Sequence, residues 1–340
     1  MRAVVYSHTG GPEVLRLVER PVREPGPGEV RVKIHVSGVN PTDWKARRGG
    51  RAGAELPFPE LVPNQDGAGT IDAVGDGVAE RRVGERVWIW EAAWQRADGT
   101  AQEFVVIPSR QAVQLPDAAS MDVGASLGIP ALTAHRCLTV SELGPPKLAP
   151  RALNAQTVLV AGGAGAVGHA AIQLACWAGA RVISTVSSDE KSALALSAGA
   201  EHAVNYRAGE AADEIRALVP DGVDVIVEVA PAANAGLDTA VLAPNGTVAV
   251  FATDGGDEVG LNVRELMSRN VRYQLVLVYT VPAPTKDQAV ADVSAAVEDG
   301  ALEVGEHVGL PLHRFSLERT ADAHDAVEHG ALGKVLVDIS

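Results

Sequence analysis

Between Ala152 and Ala180 the chain carries no Asp, Glu, Lys or Arg, and the middle of that stretch reads Gly162-Gly-Ala-Gly-Ala-Val-Gly168. The stretch is long enough to cross a bilayer. A glycine cluster at its centre makes a poor spanning helix and a good strand–turn–helix. Thr157-Val-Leu-Val160 supplies the strand, Ala166–Trp177 the helix, and Arg181-Val-Ile-Ser-Thr-Val186 the next strand. In Gly163-x-Gly165-x-x-Gly168 the three glycines then allow, in order, a tight turn, close approach of backbone to a pyrophosphate, and close helix–strand packing. The free N–H groups at the helix start, with the helix dipole, hold the phosphates. Gly163, Ala164, Gly165, Ala166, Val167 and Gly168 are therefore the first expected cofactor-binding residues. A glycine-rich turn without a ligand is the bland alternative.

The surrounding chain agrees with a two-part molecule. Up to about residue 125 it is β-rich, with Val30–Val36, Arg86–Trp90 and Phe104–Ile107 between turns such as Pro25-Gly-Pro-Gly28. Val30, Val32, Ile34 and Val36 share one strand face, and Arg31, Lys33 and His35 the other. Beyond that point strands and helices alternate, with strands at 202–204, 223–229, 247–251 and 273–279, helices at 190–198 and 286–298, and a last strand at 334–339. Repeated βα units with apolar strands imply a parallel sheet covered on both faces.

Composition excludes several classes. Of 340 residues, 29 are Lys or Arg and 43 Asp or Glu, a net charge of −14. That balance disfavours nucleic acid and anionic membrane as partners. The 2 cysteines, Cys137 and Cys176, exclude a disulfide scaffold and a four-cysteine zinc site, and read as core residues. The N-terminus runs straight into a strand pattern, so a soluble, cytoplasmic protein is expected.

The second strand of the nucleotide unit identifies the expected cofactor. NAD sites usually place Asp or Glu there to bond the ribose 2′-OH. Here Val186 and Ser187 hold that place, and Asp189 and Glu190 open the next helix. Ser187 and Ser188 donate to a phosphate and Lys191 lies one turn on, so NADPH is expected. Lys191 as an ordinary solvated charge is the alternative.

Several strings together resemble the zinc-independent medium-chain dehydrogenase/reductases of the quinone oxidoreductase family. They are Gly38-Val-Asn-Pro-Thr-Asp-Trp-Lys45, Asp66-Gly-Ala-Gly69, Gly99-Thr-Ala-Gln-Glu-Phe104, Leu132-Thr-Ala-His135, Val158–Gly168, Asn205-Tyr206 and Gly333-Lys334. The resemblance implies an α/β protein with a GroES-like β-rich catalytic domain at 1–125 and 284–340. A Rossmann doubly wound parallel-sheet domain at 126–283 would bind NADP(H). It places Asn40 near the nicotinamide ribose and substrate oxygen, Thr133 near the nicotinamide, and Tyr206 at the 2′-phosphate. Lys334 becomes a cofactor or interdomain contact, and Phe251 and Thr253 complete the cofactor set. Asn40 as a mere turn former before Pro41 stays open, as does Thr133 as a buried helix threonine.

The zinc-dependent branch of the same superfamily has Cys after Gly-Val in the first string and His-Glu in the second. This chain has Asn40 and Gln65-Asp66, so no metal is expected. Asp66 reads as a tie between loops, and Asn64 as a tolerated replacement for a glycine. Trp44 is expected to stack on a flat substrate. His135 stands where the family often has Tyr. Arg47, Arg48 and Arg51 read as a solvated loop, with a substrate carboxylate or a phosphate as the alternative. His324 and His329 read as solvated at a polar helix end. The apolar run Tyr273–Tyr279 suits edge pairing in a homodimer.

The expected activity is NADPH-dependent, zinc-free hydride transfer from nicotinamide C4 to a quinone, with a 2-enone or enoyl reductase as the alternative. A nucleotide-binding protein without turnover is the third reading.

Overall fold

The computed structural model describes residues 1–49 and 56–339, so Arg51 lies outside the described residues. The chain divides into two compact units, Met1–Ile129 with Pro311–Ser340, and Pro130–Leu310.

The first unit is organised by one long strand, Glu29–Val39. It pairs antiparallel with Asp66–Val74, Phe104–Pro108 and Lys334–Asp338. The sheet continues from Asp66–Val74 to Arg86–Ile89 and Ala112–Gln114, and from Lys334–Asp338 to Leu312–Ser316. Alternation along the strand fixes its inward face: Val30, Val32 and Ile34 are fully buried, Lys33 exposed and Arg31 and His35 half-buried. Burying each such side chain contributes about 1.5–3 kcal/mol. At Gly38 a Cβ would lie 2.0 Å from the Ala125 carbonyl oxygen, so the helix Met121–Leu138 approaches the strand's end more closely than any side chain allows. Asn40 follows two residues later and starts the helix Pro41–Arg48.

Two basic and imidazole residues differ from the sequence reading. Arg47 is fully buried on the inner face of its helix and pairs with Glu328, which also pairs with exposed Arg48. His324 is fully buried and shares a 2.8 Å hydrogen bond with Asn64 Oδ1, whereas His329 is exposed as expected. The helix Thr320–Glu328 turns one polar face inward, and hydrophobicity does not reveal which polar residues have buried partners. Burial, with the nearby Arg47 charge, pushes the His324 imidazole down to about 3. Asn64 does take a left-handed φ of 77°, as its replacement of a glycine requires.

The second unit is a six-stranded parallel sheet. Its spatial order is His202–Asn205, Arg181–Val186, Thr157–Ala161, Val223–Glu228, Leu242–Val250 and Arg272–Leu275. In chain order this is 3-2-1-4-5-6, the Rossmann arrangement. Its central strands are apolar on both faces, as a sheet covered on both sides demands: Val158, Leu159, Val160, Val225, Ile226 and Val227 are all buried. The helix Ala166–Trp177 has the bounds read from the sequence.

Two expectations change here, and His135 gains a role. The second unit runs to Leu310 and does not end at 283, because the helix Ala283–Glu298 turns Ala289, Val293 and Ala296 inward and Asp292 bonds His135. The run 273–279 is not one strand. Pairing stops at Leu275, and a 3-10 turn covers Val278–Thr280 with Tyr279 buried. His135 is a packing residue, buried, with Nε2 2.8 Å from Asp292 Oδ2, which also accepts the Leu148 N–H at 2.7 Å.

Cys137 is a buried core thiol, as expected, whereas Cys176 is only half-buried. Burial pushes Cys137 up to about 12 and Cys176 to about 11. Among the described residues no helix is long and apolar enough to cross a membrane.

Replacing Arg47 with Met should cost about 3 kcal/mol, since it leaves Glu328 with only its exposed Arg48 partner. Urea unfolding of the full chain measures this, and an unchanged midpoint would show the buried pair to be energetically idle.

Candidate functional site

Rossmann-type sheets bind ligands beyond the carboxyl ends of their strands, where the strand order reverses. Thr157–Ala161 and Val223–Glu228 flank that point, and the glycine turn leaves the first of them. Its glycines divide the work differently from the sequence reading. Gly162 takes the left-handed φ of 72° and makes the turn. A Cβ on Gly163 would lie 2.2 Å from Ser184 Oγ, and one on Gly168 2.4 Å from the Gly162 carbonyl oxygen. Both are packing glycines. A Cβ on Gly165 meets only the Gly162 oxygen, at an ordinary 3.5 Å. Gly165 is exposed and is the N-cap of the helix, with Ala166, Val167 and Gly168 as its first turn. Protein packing therefore leaves a glycine unexplained at Gly165, while an approaching pyrophosphate explains it.

The neighbouring strand ends bring together the residues that the sequence reading expects at a 2′-phosphate. Ser187 follows one strand and Tyr206 the next, and Val186 pairs with Asn205. Lys191 Nζ donates to Ser187 Oγ at 3.1 Å, and Ser188 caps the helix Asp189–Ser197 by accepting the Lys191 N–H at 3.3 Å. Tyr206 is exposed, and the Arg207 guanidinium lies 6.0 Å from its ring centroid. Sequence reasoning missed Arg207, although a cation directly after the third strand's Tyr was a visible signal. Two cations and three hydroxyls, with no carboxylate at Val186, suit a 2′-phosphate. Phe251 follows Leu242–Val250 and donates its N–H to the Glu228 carbonyl at 3.0 Å, and exposed Thr253 lies two residues on.

The first unit holds a second, wholly buried cluster. Asn40 Nδ2 donates to Asp66 Oδ2 at 2.7 Å, and Lys334 Nζ donates to Asn40 Oδ1 at 2.7 Å and to the Val39 carbonyl at 3.2 Å. Asp66 also accepts the Ile129 N–H at 2.9 Å. Asp43 Oδ2 accepts the Asn40 N–H at 2.7 Å, a reciprocal cap at the helix start. Asn40, Asp43, Asp66 and Lys334 are each at most 4% exposed. Lys334 is thus a core group of this unit. It is buried because its strand pairs with Glu29–Val39 and brings it beside Asn40.

Burial pushes the Asp43 carboxyl up to about 8, with the neighbouring Asp66 charge in the same direction. Burial likewise raises Asp66 to about 6 against the pull of Lys334, Ile129 and Asn40. The same burial lowers the Lys334 ammonium, opposed by both carboxylates. Two carboxyls thus share one ammonium, and burial holds Asp43 further toward its protonated form than Asp66. The place of Asp43 three residues after an N-cap Asn was the available signal. Trp44 is half-buried with Lys45 Nζ 5.7 Å from its ring centroid, and Thr133 is buried within its helix.

Comparison with known proteins identifies both units. Residues 26–117 match the alcohol dehydrogenase GroES-like domain, and 166–295 the zinc-binding dehydrogenase domain. The rat quinone oxidoreductase is 32% identical over 344 residues, covering 99% of this chain and 97% of the relative. The chain belongs to the quinone oxidoreductase family of medium-chain dehydrogenases/reductases. A mycobacterial structure complexed with NADPH is 30% identical, covers 99% of this chain and 100% of its own, and superposes with a TM-score of 0.81. An NAD-dependent alcohol dehydrogenase is 29% identical with full coverage of both chains and a TM-score of 0.85. The family-model description mentions zinc, but this family member's residues do not fit that metal. An amide at 40, an amide and a carboxylate at 65 and 66, and a buried ammonium replace thiolate and imidazole donors. Among the described residues no group of three His, Cys, Asp or Glu comes together as a metal site.

Gly165→Val should weaken NADPH binding at least tenfold with little change in melting temperature, while Gly168→Ala should cost about 1–3 kcal/mol of stability by overpacking. Cofactor titration and thermal melts separate the two. A raised carboxyl pKa means stability present at low pH and lost as pH rises from about 4 through about 8. Asp43→Asn removes that loss, so the variant's melting temperature should gain on the wild type between pH 5 and pH 9. Parallel curves would show Asp43 to be ionised throughout.

Proposed function

We propose that this chain is an NADPH-dependent quinone oxidoreductase that works without metal. The observation that carries the reading is the pairing of an uncrowded Gly165 turn with the Ser187–Lys191–Tyr206–Arg207 cluster at adjacent strand ends. Gly163 through Gly168 hold the pyrophosphate, and Ser187, Ser188, Lys191, Tyr206 and Arg207 the 2′-phosphate. Phe251 and Thr253 extend the site along the strand ends. The NAD-dependent relative marks the competing preference, and the absence of a carboxylate at Val186 weighs against it.

When bound, the nicotinamide supplies a hydride from its C4 position. This chain's own residues align the acceptor and stabilise the charge that develops on its oxygen. Asn40 is the hydrogen-bond donor to that oxygen, Thr133 orients the nicotinamide, and Trp44 provides an aromatic wall for a flat ring. Solvent protonates a hydroquinone, so no dedicated acid is required. The quinone assignment draws support from the names of full-length relatives such as the rat protein. The protein acts in the cytoplasm as a homodimer, and the exposed Leu275 and Leu277 beside the edge strand support pairing there.

The test is NADPH oxidation with benzoquinones, naphthoquinones, enones and enoyl thioesters, repeated with NADH and with a chelator. Turnover of quinones, preference for NADPH and indifference to chelation are expected. Turnover of enoyl thioesters alone would move the protein to the reductase reading, and no turnover with any acceptor would end the enzyme reading. Lys191→Ala should raise the Kd for NADPH roughly tenfold and leave NADH unchanged, since one charge-assisted phosphate bond is worth about 1.5–3 kcal/mol. Asn40→Ala should lower kcat by roughly 10²-fold, as losing one oxyanion donor does.

A further inference from the structure

A carboxamide in a symmetrical polar pocket turns over freely, because its two ends have similar size and opposite bonding character. Asn40 does not sit in such a pocket. Its Oδ1 faces the Lys334 ammonium, which only donates, and its Nδ2 faces the Asp66 carboxylate, which when ionised only accepts. Turning the amide over would set N–H against ammonium and carbonyl oxygen against carboxylate. Both partners are themselves held. Lys334 is anchored on the Val39 carbonyl at 3.2 Å, and Asp66 on the Ile129 N–H at 2.9 Å. Lys334 Nζ and Asp66 Oδ2 lie 4.0 Å apart, on either side of the amide they grip.

We propose that Lys334 and Asp66 are positioning residues that lock the Asn40 carboxamide in one orientation and polarise it toward the substrate oxygen. The inference rests on Asn40 being the donor proposed above. The bonds to Asp66 and Lys334 use one of the two amide N–H groups and leave the other for an acceptor. The ammonium on Oδ1 draws electron density through the amide, which makes that remaining N–H a stronger donor as charge grows on the oxygen it meets. Neither Lys334 nor Asp66 touches substrate in this account. Both act through residue 40.

Two measurements test this in the full-length protein. The first is a double-mutant cycle. Lys334→Met should lower kcat tenfold or more with little change in the Kd for NADPH, and should have no further effect on kcat in the Asn40→Ala background. Additive losses would mean that Lys334 acts independently of Asn40 and would overturn the proposal. So would a loss of NADPH affinity matching the loss in kcat. The second needs no turnover. In a deuterated, ¹⁵N-labelled sample the Asn40 carboxamide pair is identified by its disappearance in Asn40→Ala. It should be two separate, slowly exchanging signals in the wild type, and should broaden or exchange at least tenfold faster in Lys334→Met. Unchanged signals in that variant would overturn the lock. If Lys334→Met does not fold, Asp66→Asn, near isosteric, carries both measurements. Asn40→Ala with full kcat would instead remove Asn40 from the reaction, a failure of the underlying reading that the amide signals distinguish from failure of the lock.

Discussion

The carboxylate of Asp66 is where the first unit is tied together. It binds the side chain of residue 40, the backbone of residue 129 and, across 4.0 Å, the ammonium of residue 334. Those positions come from the end of the strand Glu29–Val39, the helix Met121–Leu138 and the strand Lys334–Asp338. A buried ion costs several kcal/mol in lost hydration, and only well-placed partners offset it. The chain supplies three. Removing any one leaves a buried charge short of a bond, so the return of residues 311–340 to the N-terminal sheet is part of what makes that carboxylate tolerable.

The two units differ in where their candidate site residues lie. The Rossmann unit keeps its central strands apolar, with Val, Ile and Leu, and ends them where backbone N–H groups and solvent are available, although Glu228, Asp238 and the His135–Asp292 pair are buried around that sheet. The GroES-like unit buries polar side chains deep inside: Asn40, Asp43, Asp66, Lys334, Arg47, Asn64 and His324. Such groups contribute little net stability, but they admit few arrangements, and a mispaired core leaves charges without partners. Precise placement of one amide follows from that rigidity.

This contrast explains what could be read from the chain itself. The parallel sheet was legible because periodicity and glycine spacing are local. The helix after the turn and the second strand have the bounds the sequence suggested. The positions of Ser187 and Tyr206 after strands, and of Lys191 in the first turn of the next helix, were legible because those strand ends are visible. The buried cluster was only half legible. Asn40 stood out beside Pro41, but its partners lie at 66 and 334, and nothing local links them. Arg47 and His324 read as solvated, since a charge in a sequence carries no mark of a partner 281 or 260 residues away. The 273–279 run failed for a different reason. An apolar stretch does not say whether it pairs or turns, and pairing stops at Leu275 because it lies opposite Val250, the last residue of the neighbouring strand.

Residue 334 also accounts for how this site departs from the zinc-dependent branch. A metal polarises a substrate oxygen as a Lewis acid, and its ligands must present lone pairs to a cation. Here Lys334 already places a cation among those positions. Two unit charges 4 Å apart interact by on the order of 4 kcal/mol at an effective dielectric of 20. A divalent ion beside that ammonium would meet about twice that repulsion, with an amide in place of a thiolate to offset it. In the proposed arrangement the ammonium acts on the substrate only through Asn40, as polarisation of a neutral donor. That is a weaker electrophile than a metal. It suffices for an acceptor such as a quinone, which takes hydride without Lewis-acid activation, and it does not meet the demand of an alcohol that must first lose its proton.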